Sequence, residues 1–265
     1  MKAGHPVIAI IQARMRSRRL PGKVLKRVQG KSLLQLELER VARSKLIDKI
    51  VIATSAKKAD DPIMRLAKRL DIAYFRGSED DVLDRYYRAA KEFGASTIVR
   101  ITGDCPLMDP AVIDRVVGFY LKNRKKYDYV SNVHPPTFPD GMDVEVCSFS
   151  ALARAWKSAR MASEREHVTA YIWKRPRLFR IGNVVNREDF SRFRLTVDEP
   201  RDLALVRQIF SRLYPRKALF TLDEIIRLLK NKPELLRINR NIERDEGYRM
   251  SLAGDTFLKT KHRQK

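Results

Sequence analysis

The sequence is short of cysteine, of long apolar runs and of acidic residues. Its two cysteines, Cys105 and Cys147, lie far apart in the chain; this favours a reduced compartment and gives no paired-cysteine zinc site. No run of about 18 apolar residues occurs, so the sequence predicts no membrane span. The N-terminus runs into the first predicted strand without the features of a signal peptide, and we expect a cytoplasmic protein.

Acidic residues are outnumbered, with 32 Asp and Glu against 55 Lys and Arg and a formal net charge of +23. This excess predicts anionic partners such as nucleotides, acidic sugars, nucleic acid or a membrane surface. The cations are spread along the chain, with a local cluster at Lys259–Lys265, and a lineage-specific or thermophilic surface would give the same spread. No zinc finger or RNA-binding motif accompanies them, so nucleic-acid binding is an alternative and not the main interpretation.

The first apolar run and the loop after it organise the chain. Val7–Ile11 is short and rich in β-branched residues, which predicts a strand buried on both faces. From Ala13 to Arg27 there are seven basic residues and no acidic one. A basic, glycine-containing loop at the carboxyl end of a first strand can hold a polyphosphate. It is not a Walker A loop, because Val24 replaces the Ser or Thr of that motif; a solvated basic loop is the alternative.

Hydrophobic periodicity predicts an alternation of strands and helices. The predicted strands are 7–11, 49–54, 72–75, 97–102, 127–131, 142–146 and 192–197. The predicted helices are 32–43, 62–70, 82–93, one beginning at 110, 150–160, 164–174, 201–213 and 222–229. Predicted helix starts are an Asp61 cap, an Asp109 cap, and capping boxes from Ser163 to Glu166 and from Thr221 to Glu224.

Strand and helix alternate four times in the first half, which indicates an α/β fold with a parallel sheet covered by helices on both sides. We predict a domain over residues 1–240, followed by a polar, basic and partly disordered tail over residues 241–265.

Carboxylates occur at or near the ends of predicted strands. Asp104 and Asp198 each follow a strand, and the carboxyl edge of an open sheet could bring them together above the basic loop. Such a pair suits Mg²⁺, although either residue could instead cap a helix or form a turn. Asp143 and Glu145 share one face of a predicted strand, which is a solvated face or a metal-binding pair of the glycosyltransferase kind. His167 is a candidate base or a surface residue.

Six segments together resemble a known family. In order they are Ile11–Leu25, Arg100–Pro110, Pro139–Val146, Ser163–Thr169, Val197–Leu203 and Asp245–Leu252. They resemble the CMP-sugar synthetases, the acylneuraminate and 3-deoxy-manno-octulosonate cytidylyltransferases, and most closely the spore-coat polysaccharide biosynthesis branch. The resemblance covers nearly the whole chain. It implies a three-layer α/β/α Rossmann-like nucleotidyltransferase fold, similar to glycosyltransferase A, with a mainly parallel sheet, CTP and Mg²⁺ as partners, and often a homodimer.

The resemblance also assigns roles to individual residues. It implies that the triphosphate is held by Arg14, Ser17, Arg18 and Lys23, and that Asp104 and Asp198 bind the metal. It adds Gln12, Ala13 and Thr102 to the nucleotide site, and implies acceptor contacts from Asp143, Glu145, Glu166 and His167. Arg16 and Arg19 are interpreted as surface charge. Related sialic-acid enzymes can carry a second Asp two residues after the position of Asp198; Pro200 stands there in this chain, so the coordination set differs.

We therefore expect a cytidylyltransferase for cell-surface polysaccharide biosynthesis. An acceptor hydroxyl, on a sugar that we expect to be acidic, would attack the α-phosphorus of CTP and release pyrophosphate. Arg100, Arg165, Arg192 and Arg194 are candidates to bind a sugar carboxylate. The general base is left open between His167, Glu145 and a metal-bound hydroxide. A glycosyltransferase and a nucleic-acid-binding protein are the alternatives.

Overall fold

A seven-stranded sheet forms the middle layer of the protein, whose computed structural model describes residues 5–258. The strands in chain order are β1 (Val7–Gln12), β4 (Lys49–Ser55), β5 (Ala73–Gly77), β6 (Thr97–Thr102), β7 (Tyr129–Ser131), β8 (Glu145–Ser148) and β9 (Ile181–Asn183). Their order across the sheet is β5-β4-β1-β6-β8-β7-β9, and β8 runs antiparallel to both neighbours while the other pairs are parallel. A separate small hairpin pairs β2 (Arg27–Val28) with β3 (Lys31–Ser32).

Ten α-helices are present in the described chain, and most cover the two faces of the sheet. They are α1 (Leu33–Val41), α2 (Asp61–Arg69), α3 (Val82–Glu92), α4 (Pro110–Lys122), α5 (Phe149–Ser158), α6 (Ala162–Glu166), α7 (Ala170–Trp173), α8 (Pro200–Leu213), α9 (Leu222–Asn231) and α10 (Glu246–Ala253). One apolar core contains buried residues of α1, α2, α4, α8 and α9, and the other contains those of α3, α5 and α7.

Strand β1 shows why the central strands are apolar throughout. Side chains alternate across a strand, and Val7, Ala9 and Ile11 enter the first core while Ile8 and Ile10 enter the second. Both faces of β1 are therefore buried, as the short β-branched run predicts. The predicted α/β fold with a mainly parallel sheet between helical layers is confirmed.

Two of the four predicted helix starts are confirmed and two are wrong. Asp109 accepts a hydrogen bond from Ala111 N (2.8 Å), and Thr221 and Glu224 form a capping box. The N-cap before α2 is Asp60, one residue earlier than predicted, because Asp61 is already the first helical residue; the Asp60 carboxylate does not cap the helix and accepts from Ser55 N instead (3.2 Å). The predicted box from Ser163 to Glu166 does not form, because Ser163 donates to Asp255.

Two predicted strands and one predicted helix differ from the structure. The strand predicted over 142–146 begins at Glu145 and ends at Ser148, which leaves Asp143 in the loop before it. Within the described chain, residues 192–197 form no strand; they run beside the Asp140 loop, to which Leu195 N donates (2.7 Å). The helix predicted over 164–174 is divided into α6 and α7, because Val168 has a left-handed backbone (φ 54°).

The first part of the predicted tail is folded against the domain. Ile242 is buried, α10 follows it, and Leu258 N donates to Arg160 O (2.8 Å). The basic cluster Lys259–Lys265 lies outside the described residues. Both cysteines are buried free thiols. No helix within residues 5–258 is long and apolar enough to cross a membrane.

Gly141 allows the loop before β8 to lie directly on the extended segment 194–198. Its φ is +97°, and a Cβ at this position would lie 2.5 Å from Thr196 N and 2.7 Å from Leu195 C. A side chain there would be strained by the backbone conformation and would also push the two segments apart. The close approach matters for the site because segment 194–198 ends at Asp198.

We predict that Gly141→Ala lowers the free energy of unfolding by about 2 kcal/mol or more, because strain and a backbone clash add. The control is Gly30→Ala, since Gly30 also has a positive φ (+75°) but a Cβ there meets nothing within 4 Å. Strain alone should cost that variant about 1 kcal/mol. Urea unfolding measures both, and equal losses would contradict the close-contact argument.

Candidate active site

The basic loop is held in place by buried groups at its beginning and in its middle. Met15 N donates to Asp60 Oδ1 (2.7 Å), and the Asp60 carboxylate is itself buried at the end of β4. Leu20 and Val24 are buried in the first core. This explains the hydrophobic residue at position 24, which anchors the loop where a Walker A motif would place a metal-binding hydroxyl. Nothing in the sequence indicated that Asp60 holds the basic loop, because Asp60 stands directly before the predicted Asp61 cap.

Lys23 joins the two carboxylates that the sequence predicted would meet. Its Nζ lies 2.6 Å from Asp104 Oδ2 and 2.7 Å from Asp198 Oδ1. Burial alone would lower the pKa of Lys23, but the two carboxylates outweigh it and raise that pKa. Burial would raise the pKa of Asp198, yet Lys23, Arg19 and Arg194 together lower it to about 2. Lys23 and Asp198 are therefore charged at neutral pH.

Asp198 is fixed by a buried network and is not the cap of the following helix. Arg194, whose side chain is 7% exposed, contacts Asp198 (2.8 Å), Asp140 (2.6 Å) and Asp202 (3.0 Å). Glu199 and Asp202 form the capping box of α8. Val197 N also donates to Asp104 O (2.9 Å), so the segments carrying the two aspartates are tied together. The capping alternative for Asp198 is thus set aside.

Glu37 of α1 lies buried below Asp104, with no exposed surface. One of its carboxylate oxygens accepts from Cys105 N (3.2 Å), and no group within residues 5–258 donates to the other. Burial raises the pKa of Glu37 well above its ordinary value of 4.5, and the nearby Asp104 charge raises it further. Glu37 therefore holds the turn after β6 in surroundings that favour its protonated form. Its helical periodicity gave no sign of this role.

The predicted nucleotide residues are grouped at the carboxyl ends of β1 and β6. Gln12 and Thr102 face each other in register, and Gly103 N donates to Gln12 O (2.9 Å). Gln12 Oε1 is buried and receives no hydrogen bond from the described residues. Ala13 is buried, and its N–H donates to Ala53 O (3.1 Å).

Some side chains of the basic loop contact the site and others face solvent, and the two groups differ from the predicted ones. Arg14 reaches Glu166 (3.5 Å), and Ser17 Oγ accepts from Leu20 N (3.2 Å) within the loop. Arg18 is exposed, whereas Arg19 lies 3.0 Å from Asp198. Arg19, interpreted from the sequence as surface charge, therefore belongs to the site. Adjacent arginines in an irregular loop carry no periodicity that could have separated them.

Glu145 is fully bonded inside the protein. Arg100 donates to one of its oxygens, and Tyr129 (2.6 Å) and Thr169 (2.5 Å) donate to the other. Burial would raise the pKa of Glu145, but Arg100 and the hydrogen bonds outweigh it and lower that pKa. Both oxygens of Glu145 are consequently engaged by internal donors, and the nearby Asp143 has a different partner.

Asp143 accepts from Arg244 Nη2 (2.5 Å), and Arg244 Nη1 donates to Phe138 O (3.0 Å). Burial raises the pKa of Asp143 to about 7, against the opposing charge of Arg244. The nearby Asp140 has a pKa raised to about 6 for the same reason. Arg244 comes from the C-terminal segment, and the resemblance of Asp245–Leu252 was the signal that this segment belongs with the site.

Glu166 and His167 meet through the same C-terminal segment. Ser251 Oγ lies 2.8 Å from Glu166 Oε2 and 3.0 Å from His167 Nε2. Burial lowers the pKa of His167 to about 4, and the charge of Arg100 contributes. The His167 ring packs edge-on against Tyr248, at 4.8 Å between centroids. His167 is thus a neutral imidazole beside a carboxylate that also contacts Arg14.

Most arginines proposed for an acidic sugar already have internal partners. Arg100 pairs with Glu145, Arg165 pairs with Asp81 (2.5 Å), and Arg194 is buried in the Asp198 network. Arg192 is exposed and lies over the Phe193 ring. The cations next to the predicted acceptor residues are instead Arg14 and Arg244.

The chain as a whole has counterparts among known proteins. The family model for cytidylyltransferases matches residues 8–243. The chain belongs to the cytidylyltransferase family. It is similar to the uncharacterized protein MJ1063 of Methanocaldococcus jannaschii, with 41% identity over 92% of this chain and 98% of that one.

Two further relatives cover most of the chain. The spore coat polysaccharide biosynthesis protein SpsF of Bacillus subtilis is 33% identical, over 87% of this chain and 96% of that one. A solved cytidylyltransferase structure from Leptospira borgpetersenii superposes with a TM-score of 0.85 at 33% identity, covering 91% of this chain and 99% of that chain. The protein is accordingly a CTP-dependent nucleotidyltransferase, as the sequence predicted.

We predict that Glu37→Gln becomes increasingly favourable to stability as pH rises. A carboxyl group whose folded-state pKa is raised stabilises the fold at low pH and loses that contribution above pH 4.5, up to the folded pKa. The amide does not titrate, so the variant's free energy of unfolding relative to the wild type should increase by about 1.4 kcal/mol for each pKa unit of that shift.

Urea unfolding between pH 5 and pH 8 measures this difference. The control is Glu39→Gln on the same helix, because Glu39 is partly exposed and pairs with Lys31 (2.7 Å). A pH-independent difference for Glu37→Gln would show that Glu37 is charged in the folded protein.

Proposed function

We propose that this cytidylyltransferase transfers CMP from CTP to a sugar hydroxyl and releases pyrophosphate. The observation that carries the proposal is the placement of Lys23 between Asp104 and Asp198, at the carboxyl edge of the sheet and directly after the basic loop. In open α/β sheets this edge is where nucleotides bind. The proposal extends to surface polysaccharide synthesis, which the name of the Bacillus subtilis relative supports.

The residues fit a magnesium ion at this position. Asp104 and Asp198 present hard oxygen ligands to a single cation, the Lys23 ammonium group, so the pair already provides a cation-binding geometry. Within residues 5–258 no cluster of three or more possible ligands occurs, and Mg²⁺ normally takes only one or two carboxylates plus phosphate oxygens and waters. When bound, Mg²⁺ would offset the charge of the phosphates and polarise the α-phosphate.

The cations around this pair suit the triphosphate. Lys23 is freed to contact phosphate when the carboxylates find another cation. Arg19 contacts the same Asp198, and Arg14 contacts Glu166 on the acceptor side. Arginine guanidinium groups bind phosphate oxygens through paired N–H donors. We assign triphosphate binding to Arg14, Arg19 and Lys23, and Ser17 supports the loop. The exposed Arg18 is a weaker candidate than the sequence suggested.

The acceptor side is lined by Glu166, His167 and the residues of the C-terminal segment. Arg14 pairs with Glu166, and Arg244 pairs with Asp143. Either arginine can exchange its carboxylate partner for the carboxylate of an acidic acceptor. This supports a sugar acid as the acceptor. Glu145 acts by fixing Arg100 and Thr169 and not by touching the sugar. The predicted homodimer stays a prediction.

His167 is the best-placed candidate for the base. A carboxylate only accepts, so Ser251 donates its proton to Glu166 and accepts from His167 Nε2–H, which assigns the free lone pair to Nδ1. Glu145 is unsuited because its oxygens are occupied. A neutral imidazole with a free nitrogen can take the proton of the attacking hydroxyl.

We predict pyrophosphate release when the enzyme is given CTP, Mg²⁺ and a matching sugar acid from a panel that includes 3-deoxy-manno-octulosonate and N-acetylneuraminate. Asp104→Asn should reduce turnover by roughly 10²-fold or more, since the cation loses a charged ligand. Asp189→Asn, a change at an exposed residue, is the control.

Unimpaired turnover by Asp104→Asn would refute the metal assignment. Release of a nucleoside diphosphate from a nucleotide-sugar, with none of pyrophosphate from CTP, would support the glycosyltransferase alternative instead.

We also predict that His167→Asn lowers kcat/KM by about 10²-fold or more and removes the acidic limb of its pH profile. In the wild type that limb should lie near pH 4, because protonation of His167 below its pKa abolishes its function. The measurement is kcat/KM from pH 4 to pH 8. A variant with the wild-type profile would exclude His167 as the base.

A further inference from the structure

The C-terminal segment crosses from the triphosphate loop to the acceptor residues. At its beginning, Asn239 donates to Asp202 Oδ1 (2.9 Å). Glu246, the first residue of α10, contacts Arg19 (2.5 Å), and Ser251, one turn later, contacts Glu166. At its end, Asp255 accepts from Ser163 N (2.9 Å). Helix α10 therefore has polar contacts to both halves of the site.

Helix α10 is held by these contacts and not by a hydrophobic core. None of its eight residues, all within the described chain, is buried. Met250 and Leu252 are exposed by 58% and 40%. Elements with little buried apolar surface open at low free-energy cost, so the position of α10 depends on its few polar partners.

Arg19 is shared between two carboxylates. Its Nη1 lies 2.5 Å from Glu246 Oε2 and its Nη2 lies 3.0 Å from Asp198 Oδ1. Gly247 approaches the same guanidinium closely, since a Cβ there would lie 3.7 Å from Nη2. A triphosphate bound to Arg19 would bring several negative charges to the place that the Glu246 carboxylate occupies, and like charges this close repel.

We propose that Glu246 is an internal competitor of the CTP triphosphate for Arg19, so that CTP binding releases the N-terminal end of α10. This inference rests on the triphosphate role of Arg19 proposed above. Glu246 is a positioning residue, because it acts through Arg19 and not on the substrate. The contacts of Glu246 and Ser251 hold α10 between the triphosphate loop and the acceptor residues.

The other contacts of α10 connect its release to the acceptor side of the site. Ser251 and Tyr248 both touch His167, and Ser251 also bonds Glu166. Movement of α10 consequently changes the partners of the two residues assigned to the acceptor and frees Glu166 from one hydrogen bond. CTP binding thereby prepares the acceptor side, which gives an order of binding with CTP first.

The test compares Glu246→Gln with Glu243→Gln, which removes the same charge three residues earlier from a carboxylate that is 72% exposed and contacts Arg249. Titration calorimetry with CTP and Mg²⁺ at fixed ionic strength gives the dissociation constant of each. We expect Glu246→Gln to bind CTP about 3- to 10-fold more tightly than the wild type, as expected for an exposed ion pair and a removed repulsion. Glu243→Gln should stay within about 2-fold of the wild type.

Hydrogen exchange of the wild-type enzyme provides an independent readout. Amides of Glu246–Ala253 should exchange faster when CTP and Mg²⁺ are added, because the helix loses its Arg19 anchor. Equal CTP affinities for the two variants, or slower exchange on CTP binding, would overturn the inference. Neither readout needs an acceptor, so a failure to find pyrophosphate release would count against the proposed transfer reaction and leave this inference standing.

Discussion

The ammonium group of Lys23 is the interaction on which the site depends. Two carboxylates brought to one sheet edge repel each other, and a buried pair without a cation would force one of them to take up a proton. Lys23 prevents this by lying within hydrogen-bonding distance of both Asp104 and Asp198. Any ligand that takes Lys23 away must supply another cation in its place, which couples nucleotide and metal binding through charge balance alone.

Charge pairing also explains how a chain with an excess of basic residues can keep ionised carboxylates in its site, where a cation can bind. Carboxylates near the sheet edge are held in place by arginines, as Arg194 holds Asp140, Asp198 and Asp202. Removing one partner from such a buried network leaves an uncompensated charge and costs several kcal/mol, about 3–5 in comparable cases. Some of the many arginines in the sequence therefore stabilise the fold and cannot bind an anionic substrate. Only arginines whose carboxylate partner can be exchanged remain for substrate binding.

Sequence reasoning predicted the features that depend on hydrophobic periodicity and on the order of strands and helices along the chain. Alternating strands and helices fixed the parallel sheet, and the sheet edge then brought Asp104 and Asp198 together above the loop. It was wrong where backbone pairing is decided by tertiary contacts, as in 192–197, whose β-branched pattern suits a strand but whose hydrogen bonds go to a loop. It could not separate Arg18 from Arg19, because loop geometry and not periodicity orients neighbouring side chains.

The C-terminal boundary illustrates a further limit of composition. Polar, charged sequence after residue 240 resembles a disordered tail because it lacks apolar surface to bury, and α10 indeed buries none of its residues. The segment is nevertheless ordered where it meets Arg19, Asp143, Glu166 and His167, since each of these offers it a charged or polar partner. An element held mainly by polar contacts to an active site, with the Tyr248 ring packed against its surroundings, responds to whatever binds there. Its weak packing is the property on which the proposed response to the nucleotide depends.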